Sequence, residues 1–78
     1  MDVGDYVVII ERGDGSPLPR GDRYLAQTPR ERELYITSNL SLAIAFKSRE
    51  GAVTAGEAFV AIENRVKLSS HVKQVMLV

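Results

Sequence analysis

The sequence predicts a small α+β fold, a single-domain two-layer sandwich. A mainly antiparallel sheet of three to four strands carries one main helix (about residues 49–65) and a short helical turn (about 39–45). Three observations lead there. Tyr6-Val7-Val8-Ile9-Ile10 is a run of aromatic and β-branched residues set between Asp5 and Glu11. The stretch Thr37–Ser48 holds two helix-start signals, one at Ser38 or Asn39 and one at Ser48. Beyond it Ala52, Ala55, Gly56, Phe59, Ile62 and Val66 recur at three- and four-residue steps, the stripe of an amphipathic helix.

Taken in order, the run from Asp5 to Glu11 reads as a central strand covered on both faces, because its apolar residues do not alternate with polar ones. Arg12–Asp22 contains three Gly and two Pro, which breaks regular structure and predicts a surface loop. Tyr24-Leu25-Ala26 is a brief strand, Thr28–Glu33 a charged turn, and Leu34-Tyr35-Ile36-Thr37 a third strand. A side-chain oxygen of Ser38 or Asn39 can accept from the unpaired amides that open a helical turn, with Leu40, Ala43 and Phe46 spaced to face one way. Ser48 can cap the main helix in the same manner. Gly56, on the inner stripe, suggests close approach of helix and sheet. His71–Val78 reads as a terminal strand with Val72, Val75, Met76, Leu77 and Val78 on both of its faces.

Composition narrows the function. The 78 residues suit one domain, 1–78, of which 45% are apolar. Ten basic and ten acidic residues give no net charge, so the chain lacks the electrostatic footprint of a protein held by phosphate contacts. There is no cysteine, which removes disulfides, thiolate catalysis and cysteine-based zinc sites. Residues 1–10 carry Asp2 and Asp5 ahead of the apolar run and no basic region, so no secretory signal is expected. No apolar run approaches the roughly 20 residues that cross a bilayer. The expected setting is cytoplasmic, away from membranes.

Tyr6-Val7-Val8, Tyr24-Leu25 after a loop, and then Thr37, Leu40, Ala43, Phe46, Ser48 and Ala52 together resemble a pattern in small phage- and prophage-encoded proteins of unknown function. That pattern sets a Tyr-Val-Ile strand before a Tyr-Leu strand. A Thr-x-Asp-Leu-x-x-Ala-x-x-Phe segment then leads into a helix, and a Val-rich strand closes the chain. Asn39 stands where the pattern has Asp, and the loop from Arg12 to Arg23 is longer here. The resemblance implies the same fold, a mobile-element origin and a host-cell setting. It carries no catalytic residue across.

The residues themselves predict no enzyme, no cofactor and no metal site. General acid–base work needs titratable groups that share a substrate, and Glu57 and Glu63 fall on opposite sides of a helix. His71, the only histidine, reads as a strand residue with one face to solvent. Arg12-Gly13-Asp14 and Arg20-Gly21-Asp22 have the integrin tripeptide, but Gly-Asp is ordinary turn chemistry. Arg20, Arg23, Arg30 and Arg32 flank short strands and could converge at one end of the sheet. The interleaved Asp22, Glu31 and Glu33 favour local ion pairs instead. Tyr24 and Tyr35 could stack bases from a sheet face, although core packing is expected for at least one. Val75 and Leu77 lie where an edge strand would invite a second copy or a partner strand. The expectation is a non-enzymatic interaction protein that binds another protein, of host origin or a second copy of itself as a homodimer. Nucleic acid held by the loop arginines is the alternative.

Overall fold

A computed structural model describes residues 2–63 and 67–76. Its elements are β1 (Tyr6–Arg12), β2 (Tyr24–Gln27), β3 (Leu34–Thr37), α1 (Arg49–Ile62) and β4 (Leu68–Gln74). Short 3₁₀ turns occupy Pro19–Gly21 and Leu40–Leu42. One antiparallel sheet runs in the order β3-β2-β1-β4 with α1 packed over β1 and β4, the α+β arrangement the sequence predicts.

Every residue from Val7 to Ile10 is buried, which is why this run does not alternate. Side chains point to opposite faces in turn. Val8 and Ile10 join Leu25, Ala52 and Phe59 beneath the helix, while Val7 and Ile9 join Ala43 on the other face. Gly56 explains how α1 comes so close. A methyl group there would fall 2.9 Å from Val8 Cγ1 and 2.9 Å from Ser70 Oγ, well inside contact distance. Its cost in helix propensity, about 1 kcal/mol, is offset by that fit.

Both caps expected from sequence are present. Asn39 Oδ1 accepts from the Ser41 N–H at 3.0 Å, and Ser48 Oγ accepts from the Gly51 N–H at 3.1 Å. The first cap opens a shorter turn than the spacing predicts. After Leu42 the backbone is extended, with Ala43 at φ −66° and ψ 148°. β1 and β2 diverge beyond the Ile9–Tyr24 pair, and Ala43–Phe46 fills the gap. Ile44 N–H donates to Leu25 O at 3.0 Å, and Phe46 exchanges two 2.8 Å hydrogen bonds with Tyr6. Satisfying these strand groups outweighs one further helical turn. Leu40, Ala43 and Phe46 therefore do not share a face. Ala43 belongs to the open-side cluster and Phe46 to the helix-side one.

Three boundaries also differ from expectation. α1 ends at Ile62, and Ile62 is 76% exposed rather than part of the inner stripe. Val66, the last residue of that stripe, lies outside the described residues. β4 begins at Leu68, three residues before His71, and ends at Gln74. The Arg12–Asp22 loop is held in place by Leu18, which packs on the helix-side core, and by hydrogen bonds from Ser16 N–H and Oγ to Asp14 Oδ1.

Ahead of β1 the chain makes a type II turn. Asp5 N–H donates to Asp2 O at 3.1 Å, with Gly4 at φ 95° in the position that needs a positive φ. Gly4 N–H also donates to Val75 O, and Val75 N–H to Asp5 O. Two residues thus oppose one, a glycine-led β-bulge that continues the β1–β4 ladder past Gln74.

Candidate functional site

β4 is an edge strand, and the direction of its backbone follows from the bulge. Val75 turns both its N–H and its C=O toward β1. In an antiparallel ladder alternate residues face the same neighbour, so Lys73, His71 and Ser69 also pair inward. Ser70, Val72 and Gln74 then turn their N–H and C=O groups outward. Among the described residues no strand lies beyond them.

On the face away from α1, next to this edge, lies a groove of about 210 Å³. Val7, Tyr24, Leu40, Lys73, Val75 and Met76 line it. Val7 is buried and Tyr24 and Val75 are half-buried, while Leu40 and Met76 are largely exposed, Met76 at 67%. The groove exists because the 3₁₀ turn at Leu40–Leu42 is a thin cover. Its side chains reach only part of the sheet that α1 would span on the other side. Further along the same face, His71 Nε2 lies 3.7 Å from Glu11 Oε1 across β4 and β1.

A second cleft of about 200 Å³ lies between the end of β1 and the 13–23 loop, lined by Ile10, Glu11, Leu18, Asp22 and Arg23. It mixes apolar floor with charges of both signs and points to no single ligand chemistry.

The strongest electrostatic feature is a clasp at the start of β1. The Asp5 side chain is 7% exposed and accepts from Asp2 N–H at 2.9 Å and from Lys47 Nζ at 2.9 Å. The Asp2 amide, with Lys47 second, holds the Asp5 carboxyl below the ordinary carboxylate range, and Asp5 in turn raises Lys47. Asp14 is also lowered, by the Ser16 hydroxyl and N–H. Lys47 is 75% exposed, so the clasp ties the N-terminal turn to the segment before α1 and offers no enclosed site for a substrate.

The predicted site residues are scattered. Arg20 and Arg23 precede β2, whereas Arg30 and Arg32 follow it in the turn to β3. A strand of four residues separates the pairs, so they do not converge on one end of the sheet. All four are exposed. The ion pairs found among the described residues join Lys47 to Asp2 and Asp5, while His71 Nε2 lies 3.7 Å from Glu11 Oε1. The expected pairs with Asp22, Glu31 and Glu33 are not among them; Arg23 instead sits 6.0 Å from the centroid of the Tyr24 ring. Tyr24 and Tyr35 do share the open face, since Tyr24 opposes Thr37 and Ala26 opposes Tyr35. Tyr24 is spent on packing against Val7 and Ile9, leaving Tyr35 the more exposed. Val75 lies in the groove. Leu77 lies outside the described residues.

Sequence reasoning missed Leu40, Lys73 and the clasp. The helical spacing of Leu40, Ala43 and Phe46 predicts one shared face, which the extended backbone after Leu42 does not keep. Asp5 and Lys47 are distant in sequence, and only an acid placed just before a buried strand hinted at a partner. Among the described residues no three metal-ligating side chains cluster, and no helix is long and apolar enough to cross a membrane. No protein-family model matches this chain, and no curated protein or solved structure does.

Proposed function

We propose that this chain is a non-enzymatic interaction domain that binds another protein. The observation that carries the reading is the apolar groove beside the uncovered edge of β4, where buried Val7 meets the exposed Leu40 and Met76. Loops and edges on a rigid sheet are where small binders hold their contacts. The resemblance to small phage and prophage proteins supports a mobile-element setting in which the partner is a host protein. Nucleic acid has less support as a partner. The four loop arginines stand at opposite ends of β2, and the chain carries no net charge.

The test uses the full chain as bait in extract of the source cell, with retained proteins identified by mass spectrometry. A specific protein retained by the wild type, lost with Leu40→Glu and unaffected by nuclease is the expected result. Retention that nuclease abolishes supports the nucleic-acid alternative. Absence of any retained protein overturns the reading.

A further inference from the structure

The edge of β4 has its own chemistry. Lys67–Met76 contains Lys67, His71 and Lys73 and no acidic residue, although the chain as a whole is neutral. His71 and Lys73 stand on the open side of β4 and are exposed. Glu11 answers His71 across the sheet, and no acidic side chain answers Lys73 among the described residues. On the helix side Val72 is half-buried and faces Val8. Gly56 sits over Val8 and Ser70, while Ala52 and Phe59 lie toward Leu25. Helical rotation of about 100° per residue therefore puts Val53 and Val60 on the β4 side of α1. Val53 remains exposed there. The edge thus carries the Lys73 cation on one face and apolar side chains on the other, with the outward hydrogen-bonding groups of Ser70, Val72 and Gln74 between them.

We propose that this edge takes an extended acidic segment of a partner protein as an added strand. The inference rests on the interaction reading above and names its partner chemistry. In an added antiparallel strand, alternate residues fall on the open face, where a carboxylate fits beside Lys73, and under Val53 and Val60, where small apolar side chains fit. A second copy of this chain fits worse. Every antiparallel register that matches the outward residues sets Lys73 opposite or diagonal to Lys67 or Lys73 of the other copy, and like charges so placed destabilise pairing.

The probe is a fluorescein-labelled heptapeptide of alternating valine and glutamate, with a lysine-for-glutamate version as control. The full chain should bind the acidic peptide by fluorescence anisotropy, with amide shifts centred on Ser70–Gln74, and should not bind the control. Lys73→Glu should weaken binding about tenfold or more, since it reverses the facing charge. Gln74→Pro should do the same while leaving the fold intact. It removes an outward N–H, and proline is tolerated at a sheet edge. Binding that is absent, that survives both substitutions, or whose amide shifts centre away from this edge overturns the proposal. So does a dimer in sedimentation that Gln74→Pro dissolves. If the peptide fails while the cellular protein is still retained in the pull-down, the strand-addition inference falls and the interaction reading stands. If neither is retained, both fall.

Discussion

Val7 and Val8 are adjacent, identical and both buried, yet they belong to opposite halves of the molecule. Val8 lies under α1 with Ile10, Leu25, Ala52 and Phe59, an interior closed by fourteen residues of helix. Val7 lies under Ala43, Tyr24 and Val75, beside a groove that reaches solvent. One face of β1 is covered by a thick element and the other by the scattered side chains of Ala43, Tyr24 and Val75, with Leu40 at the groove. The helix side holds the fold together. The open side is less completely filled, and its gap leaves Leu40 and Met76 exposed beside buried Val7.

The largest test of this contrast is on the helix side. Phe59→Ala removes the only large aromatic that α1 contributes, and should cost about 3–5 kcal/mol in urea unfolding. For a domain of this size that is most of the stability, so the variant should be unfolded or nearly so at 37 °C. A melting curve like that of the wild type would mean that α1 is not the cover that matters.

A matched pair sharpens the comparison. Val8→Ala should cost about 2–3 kcal/mol, because the close-packed helix cannot collapse into the space. Val7→Ala should cost about 1–2 kcal/mol, because Leu40 and Tyr24 can move in from the groove. Equal losses in urea titrations would show that the two covers are equally rigid and that the groove is not an adaptable surface.

The smallest effect concerns the clasp that fastens the two halves at the start of β1. Asp5 is held below its ordinary pKa, so its contribution is complete above about pH 4 and is lost as pH falls through the folded-state value. Lys47 is raised, so its contribution is complete below about pH 10 and is lost as pH climbs past the folded-state value. Asp5→Asn should therefore lower the melting temperature at pH 7, with the gap to wild type closing toward pH 3. A gap independent of pH would mean that the carboxylate charge is irrelevant and only its hydrogen bonds count.

Legibility in the sequence followed the range of the interaction. Tyr6–Ile10, Tyr24–Ala26 and Leu34–Thr37 announced their strands through local composition, and Asn39 and Ser48 their caps through local hydrogen bonding. The misreadings all arose where a distant group decides. Ala43–Phe46 keeps a helical spacing, but the unpaired groups of Tyr6 and Leu25 draw it into extended form. Ile62 continues the stripe in sequence, yet α1 ends there and the sheet offers it nothing to cover. The candidate groove was half visible. Val75 was named for its place on an edge strand, but Leu40 and Lys73 meet it only because the Leu40–Leu42 turn crosses the open face.

The two strands most distant in sequence share one ladder, since Tyr6 pairs with Gln74 and Arg12 with Leu68. β2 and β3, by contrast, form a hairpin across a short turn. Closing a loop costs more entropy as it lengthens, so the hairpin can form early, while the β1–β4 pairing must wait until β2, β3 and α1 between them have been gathered. The segment Ala43–Phe46, bonded to both β1 and β2, gathers it. It sutures the hairpin to the first strand before the last strand has a place to dock. β4 is then the last strand to dock, along the longest ladder of the sheet, and its outer edge carries the outward groups of Ser70, Val72 and Gln74.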